Sequence, residues 1–177
     1  MPDPGDDGPG GEGGEGGEGG ASRRRARAPL SPYERAVGLL ARREHSRQEL
    51  QRKLVAKGVS PEEAGEAVER LAGQGWQDEQ RFAESLARTR ALAGYGPVRI
   101  RAELGTHGLP EHVVDDVLAE LGSVHDWRES ARDLLLRRVG AVGPADPARR
   151  RKAQALLLRR GFDAETAFGL TSGRDTD

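Results

Sequence analysis

Few residue types in this 177-residue chain are arranged in a way that could do chemistry. The four histidines are the first candidates, because an imidazole can ligate a metal ion or transfer a proton. His107 and His112 are five residues apart on either side of a Gly-Leu-Pro break, and His45 and His125 stand alone. This spacing does not fit a metal site, so all four are interpreted as ordinary surface or capping histidines.

Other catalytic patterns are equally weak. Asp115 and Asp116 are interpreted as a solvated helix face rather than as a paired-carboxylate site. The glycine-rich N-terminal segment has neither the lysine nor the preceding strand of a phosphate-binding loop. The serines stand at helix starts, where capping uses their hydroxyl groups. We therefore expect a protein that is not an enzyme and needs no cofactor.

The strongest chemical signal is positive charge near the C-terminus. The four consecutive bases Arg149–Lys152 cover more than half a helical turn, so the few nearby acids cannot pair with all of them. Residues 128–160 have a net charge of +7, against +1 for residues 30–75 and −3 for residues 76–122. The basic run fits a docking site for an acidic protein surface or for phosphates, or a solvated face. The acidic middle favours a patterned protein surface over a plain nucleic-acid duplex.

The composition narrows the class of protein further. The chain has no cysteine, which excludes disulfides and thiolate metal sites and is consistent with the cytoplasm. No run approaches the roughly 20 apolar residues of a membrane span, and the N-terminus lacks the apolar region of a signal peptide. A cytoplasmic protein without a membrane segment is expected.

The N-terminal segment has a composition of its own. Residues 1–20 contain ten glycines and six acids without a base, and residues 21–28 contain four arginines. Repeated Gly-Glu-Gly-Gly cannot bury apolar surface, so residues 1–28 are predicted to be disordered, as are residues 173–177. The acidic part is interpreted as a solubilising tail, or else as a tail that folds back on a basic surface or mimics nucleic acid. The arginines suit a phosphate-binding arm and a solvated linker equally.

The elements that must position these residues form a repeat. An apolar pair four residues apart, followed by glycine and an apolar residue, occurs three times. The copies are Leu50/Leu54/Gly58-Val59, Ile100/Leu104/Gly108-Leu109 and Ala153/Leu157/Gly161-Phe162. Such repeats form stacked modules that pack against one another. The sequence has no sustained alternation of apolar and polar residues with a period of two, so no strands are predicted.

Helix-start signals divide the body into modules. Ser31, Ser46 and Ser60 each precede a glutamate by three residues, which is the capping-box pattern, and Asp78 is a plausible N-cap. Trp76 and Trp127 are expected to pack between modules. The prediction is an all-α, elongated tandem array of three three-helix repeats after the tail. The predicted repeats span residues 29–75, 76–122 and 123–172.

Four segments carry a family resemblance across roughly residues 33–170. They are Leu39–Leu50 with Lys53-Leu54-x2-Lys57-Gly58, Asp78-Glu79-x-Arg81-Phe82-Ala83, Gly96-Pro97-x2-Ile100-x3-Leu104-x3-Gly108, and Leu157–Phe162. In this order and spacing they resemble the RecX family of recombination regulators. The N-terminal tail lies outside the family pattern, and Ala153 is smaller than its counterparts, which is expected to weaken packing of the third repeat.

The resemblance implies a protein that binds the RecA–single-stranded DNA filament and modulates, most often inhibits, its ATPase and strand exchange in DNA repair. We expect a monomer that makes at most weak contact with single- or double-stranded DNA. A direct DNA-binding protein and a helical adaptor for another partner remain alternatives. Charge reversal at Arg150 and Arg151 is expected to weaken filament binding without loss of helix. The expected contact residues are exposed bases: Arg47, Arg52, Lys53, Lys57, Arg99, Arg101, Arg149, Arg150, Arg151 and Lys152.

Overall fold

The protein is helical throughout the residues that the computed structural model describes, 29–141 and 146–172. Those residues form nine α-helices and no strand. The helices are α1 (Pro32–Leu40), α2 (Arg47–Val55), α3 (Pro61–Gly73), α4 (Glu79–Leu92), α5 (Pro97–Gly105), α6 (Glu111–Val124), α7 (Trp127–Arg138), α8 (Pro147–Arg160) and α9 (Ala164–Gly169). They pack in consecutive groups of three, here called modules 1, 2 and 3. The all-α class and the three three-helix units are confirmed. The tails predicted to be disordered lie outside the described residues.

Each module has a small core centred on its middle helix. The apolar pairs of the repeat in α2, α5 and α8 are fully buried, including Ala153. Around Ala153 and Leu157 in module 3 pack Leu134, Leu135 and Phe162. The middle helices all lead into a glycine with positive φ, which lets the chain turn without the steric cost of a Cβ.

The serine caps form as predicted at two helices and only in part at the third. At Ser31 and Ser60 both halves of the capping box are present. The hydroxyl of Ser46 accepts a hydrogen bond from the Glu49 backbone N–H (3.1 Å), but the Glu49 side chain does not return the bond. Its carboxylate contacts Arg43 and Lys53 instead. The capping-box prediction at Ser46 was therefore wrong in its second half, because two cations compete for the carboxylate.

The two tryptophans behave differently. Trp127 packs against the cores of both module 2 and module 3, as predicted. Trp76 is 56% exposed, so its predicted place between modules was wrong. Gln77, which is 3% exposed, occupies the buried position at that junction, and its Nε2 donates a hydrogen bond to the carbonyl of His45 (3.3 Å).

Modules 2 and 3 are joined backbone to backbone. The N–H of Gly96, the N-cap of α5, donates to the carbonyl of Arg160 (2.8 Å), and the N–H of Val98 donates to the carbonyl of Gly161 (3.0 Å). The open N–H groups at the start of α5 thus meet the open carbonyls at the end of α8. A Cβ at Gly96 would lie 2.3 Å from the Gly161 carbonyl oxygen, and one at Gly161 (φ +85°) 2.3 Å from the Arg99 Cβ.

Modules 1 and 2 dock in the same relative arrangement, but through side chains, whereas modules 2 and 3 use backbone hydrogen bonds. The start of α2 meets the residues that follow α5, and His107 Nδ1 lies 3.1 Å from Ser46 Oγ. Beside it, Gly108 sits against the Gln48 side chain. At both junctions, the C-terminal end of the middle helix of the later module (α5 or α8) approaches the start of the middle helix of the earlier module (α2 or α5, respectively). The first junction depends on titratable side chains and the second on backbone groups.

Candidate partner-binding surface

Helix α8 presents a basic face built by helical periodicity. Arg151, Lys152 and Arg159 are exposed, and at about 100° per residue they fall within an arc of about 100°. Ala148 and Ala155 fill the same arc, so no bulky side chain separates the charges. None of the three bases has an acidic partner within 4 Å among the described residues. We call this set the α8 basic face.

The first two residues of the predicted basic run face their own module, module 3. Arg149 Nε lies 3.6 Å from Asp146 Oδ2, and its Nη1 donates to the carbonyl of Ala141 (3.3 Å). Arg150 is half-buried. The run therefore splits, with Arg149 and Arg150 turned to the module and Arg151 and Lys152 turned to solvent.

The predicted contact residues of module 1 also divide into two groups. Arg47 is committed to its own chain, because its backbone N–H donates to Glu79 Oε1 (3.1 Å) and its guanidinium pairs with Glu69 (3.1 Å). Lys53 Nζ lies 3.0 Å from Glu49 Oε1. Arg52 and Lys57 are exposed and open to a partner.

Module 2 offers a single open base from the predicted set. Arg101 pairs with Asp115 on α6. Arg99 is exposed and its guanidinium lies 5.3 Å from the centre of the Tyr95 ring, which Arg160 approaches at 4.8 Å. Tyr95 thus lies between cations from two modules, and these contacts reinforce the second junction.

Sequence reasoning missed part of the basic surface. Arg159 belongs to the α8 basic face, and the seven-residue step from Lys152, close to two helical turns, was a usable signal. Arg137 and Arg138, in the last turn of α7, are also exposed. Including them gives module 3 five exposed bases without an acidic partner within 4 Å among the described residues.

A cleft of about 440 Å³ lies at the first junction. Both arginines that line it are neutralised by carboxylates, Arg43 by Glu49 and Arg90 by Glu103 (2.6 Å). Phe82, 2% exposed, and its ring neighbour His107 (centroids 4.8 Å apart) form the apolar part. Among the described residues no cluster of His, Cys, Asp or Glu has the arrangement of a metal site.

Glu49 is the buried centre of a charge cluster beside this cleft, and the two cations of the cluster, Arg43 and Lys53, are partly exposed. Its side chain is 7% exposed and contacts Arg43, Lys53 (3.0 Å) and His45 Nδ1 (3.0 Å). Burial opposes its charge, but the contacts with Arg43, His45 and Lys53 outweigh burial and lower its pKa to about 2. The carboxylate is therefore ionised under physiological conditions.

Two histidines of the first junction are held neutral. His45 is 2% exposed, so its interpretation as a surface or capping histidine was wrong. Burial lowers the pKa of His45, with Arg43 and Lys53 adding to the shift against the opposing charge of Glu49. Burial also lowers the pKa of His107, and its Nδ1 is placed to accept the Ser46 hydroxyl hydrogen.

We expect the stability of the protein to fall as the pH is lowered from about 7.5 to 5.5. Below the ordinary histidine value of 6.5 the unfolded chain binds protons that His45 and His107 resist in the folded state, so acid favours unfolding. Each histidine contributes a slope of at most about 1.4 kcal/mol per pH unit. Urea unfolding across this pH range measures how the free energy of unfolding depends on pH. His45→Gln should flatten the slope, exposed His112→Gln should not, and equal slopes for both variants would contradict the assignment.

Comparison with known proteins decides the family. Models of the first, second and third three-helix domains of RecX match residues 33–71, 78–118 and 126–168. The chain belongs to the RecX family. A regulatory protein RecX from Xanthomonas campestris pv. campestris (strain B100) is 58% identical over 136 residues, which are 77% of this chain and 83% of the relative. One from Stenotrophomonas maltophilia (strain R551-3) is 53% identical over 144 residues, which are 81% of this chain and 87% of the relative.

Solved structures of the RecX family share the fold. A crystal structure of RecX from Lactobacillus salivarius superposes with a TM-score of 0.62 at 21% identity, covering 78% of this chain and 91% of that one. A second, of regulatory protein RecX, gives 0.67 at 25% identity and covers 78% and 70%. The RecX relatives bear the name of regulatory proteins, which agrees with a role without catalysis. Within the described residues, no helix has the length and apolar character to cross a bilayer.

Proposed function

We propose that this chain is a regulator that binds the RecA–single-stranded DNA filament and lowers its ATPase, its extension and its strand exchange. It acts in the cytoplasm as a monomer, without catalysis or a cofactor, and makes at most weak direct contacts with DNA. The observation that carries the proposal is the RecX match, which extends over all three modules in order.

The arrangement of charge supports binding to a patterned surface. Open bases occur on all three modules: Arg52 and Lys57 on module 1, Arg99 on module 2, and the α8 basic face on module 3. Module 2 nevertheless has an acidic excess. A groove lined by protein and partly exposed DNA offers both signs of charge, whereas a duplex offers one.

The tandem architecture supports an inhibitory mechanism. Once one module is bound, the next is held near its own contact at a high effective concentration, so three weak contacts produce a tight complex. A ligand that bridges neighbouring RecA subunits would resist the movements between them that accompany ATP turnover. Open bases on successive modules fit this mode because each module contributes its own contact.

The proposal is tested by the DNA-dependent ATPase of RecA, titrated with the full chain and with a chain that begins at residue 29. Both are expected to inhibit below a one-to-one ratio to RecA, because the modules carry the contacts. Arg151→Glu with Lys152→Glu should weaken inhibition by about tenfold, since like charge then faces the acidic parts of the filament. Lys152 replaces Arg150 in this pair because Arg150 is half-buried and its reversal would disturb the module.

The control is Arg42→Glu with Arg88→Glu, which makes the same change in charge at exposed positions on modules 1 and 2. It should inhibit almost as well as the natural chain. Equal loss in both variants would mean that net charge alone matters, and no inhibition by any chain would refute the proposed function. Tight DNA binding without RecA, with a steep dependence on salt, would favour the direct DNA-binding alternative.

A further inference from the structure

The α8 basic face is a fixed array of charge that module 3 leaves uncompensated. Arg151 and Lys152 lie at one end and Arg159 two helical turns away, a separation of about 11 Å at 1.5 Å per residue. The buried residues Ala153 and Leu157 anchor the opposite side of α8, so the array cannot turn inward. A ligand for this face needs negative charges spaced about 10 Å apart and little side-chain bulk between them.

The N-terminal segment of the chain has this pattern. Glu12, Glu15 and Glu18 are separated by pairs of glycines, and three further acids precede them. Three extended residues span about 10 Å, so neighbouring glutamates match the spacing of the α8 array. The intervening glycines carry no side chain that would hold the acidic segment away from the helix.

We propose that residues 1–20 bind the α8 basic face of the same chain and cover it until a partner displaces them. Two neighbouring glutamates among Glu12, Glu15 and Glu18 reach the two ends of the face, one pairing with Arg151 or Lys152 and the next with Arg159, through exposed, exchangeable contacts. The contact belongs to module 3 because modules 1 and 2 have net charges of only +1 and −3. This inference does not depend on the identity of the partner.

The length of the N-terminal segment allows the contact. Glu12 lies 17 positions and Glu18 lies 11 positions before Pro29, which gives spans of up to about 60 Å and 40 Å when the chain is extended. The longest helices of the body have 14 residues and a length of about 21 Å. The six acids outnumber the arginines at positions 23–25 and 27, so residues 1–28 keep a net charge of −2. The small excess and the nearby competing arginines make the contact weak and easily displaced.

A spin label tests the proposal in the full chain without any partner. The protein has no cysteine, so Gly10→Cys gives a single attachment site for a nitroxide. The amide signals of residues 148–159 should then lose intensity relative to those of α6. The loss should be present in about 0.1 M salt, where the Debye length is about 10 Å, and absent in about 1 M salt, where it is about 3 Å.

Variants of the two charge patterns distinguish this contact from nonspecific attraction between the tail and the body. Arg151→Glu with Lys152→Glu should abolish the loss of signal, and Arg42→Glu with Arg88→Glu should leave it unchanged. Glu12→Gln, Glu15→Gln and Glu18→Gln together should also abolish it. Mixing labelled chains with isotope-enriched unlabelled chains should give no loss, because the contact lies within one molecule.

Three outcomes would overturn the proposal. Signal loss spread evenly over the three modules would show a tail without a preferred site. Loss confined to residues 21–30 would show that the acids pair only with the neighbouring arginines. Loss in the mixed sample would show a contact between molecules. None of these outcomes bears on the RecA ATPase, so the proposal and the proposed function can fail independently.

Discussion

Gly96→Ala is expected to separate module 3 from module 2 and to cost about 3 kcal/mol of stability. The added Cβ would lie 2.3 Å from the Gly161 carbonyl oxygen and 2.5 Å from the Phe162 nitrogen, and these backbone atoms cannot move aside cheaply. Gly96 has φ −85°, which any residue adopts, so the cost comes from the junction and not from local strain. The two backbone hydrogen bonds from Gly96 and Val98 to α8 should be lost together.

Hydrogen exchange at the Val98 amide is the most direct measurement. Val98 lies in the first turn of α5, where an amide has no partner within its own helix, and its acceptor is the Gly161 carbonyl (3.0 Å). Its protection therefore reports the junction itself. In Gly96→Ala the Val98 amide should exchange rapidly, while the buried core amides of Ile100 and Leu104 remain protected.

Gly105→Ala is the matched control. It lies at the end of the same helix, α5, and an added Cβ there would meet no atom within 4 Å. Alanine is favoured over glycine in a helix, so this variant should be neutral or more stable by up to about 1 kcal/mol. If the two variants had equal stability and equal Val98 exchange, the backbone junction would not contribute to folding.

Glu49→Gln is expected to have an effect of similar size at the other junction. The substitution removes the carboxylate that Arg43 and Lys53 share beside buried His45. Because the Arg43 and Lys53 side chains are 53% and 36% exposed, water can solvate them, and the loss of the charge-assisted contacts of buried Glu49 should cost about 2–3 kcal/mol. Because the cluster lines the cleft against Phe82 and His107, the loss should also loosen module 1 from module 2. Urea unfolding at neutral pH measures the free energy of unfolding.

Glu69→Gln provides the comparison for Glu49→Gln. Glu69 also pairs with an arginine, Arg47 (3.1 Å), but its side chain is 63% exposed. Exposed pairs contribute about 0–1 kcal/mol, so this variant should resemble the natural chain.

A second readout is acid unfolding. Glu49 contributes stability above its ordinary pKa of 4.5 that is lost as the pH falls toward about 2, and Glu49→Gln should remove this step. Equal costs for the two variants would show that burial of Glu49 is unimportant.

The sequence predicted the helices and the modules because those signals are local. Caps such as Ser31 and Ser60 use side chains three residues away, and the repeat of apolar pairs and glycines reports burial one helix at a time. The junctions were not predicted. At Gly96 the contact uses backbone groups that every residue has, so no side-chain pattern marks it. At Glu49 the capping-box pattern was real but incomplete, because Arg43 comes close only after folding.

The candidate surface was predicted in part for the same reason. A run of bases shows that a helix is basic. Whether each basic side chain faces a partner or contacts its own module depends on neighbours that are distant in sequence. Arg47 was assigned to a partner, and in the structure it also contacts Glu69 and Glu79; its contact with a partner stays a prediction. Arg159 was overlooked because it lies outside the consecutive run, although it shares the α8 face. The assignment of open bases to RecA remains a prediction.

The different chemistry of the two junctions makes this chain a short linear lattice with unequal nearest-neighbour coupling. In such a lattice each unit responds to its neighbours through separate interface energies. Acid weakens the first coupling, which depends on neutral histidines, and leaves the second unaffected, because its backbone groups do not titrate between pH 5 and 8. At mildly acidic pH the chain should behave as a cooperative pair, modules 2 and 3, joined to one independently fluctuating module.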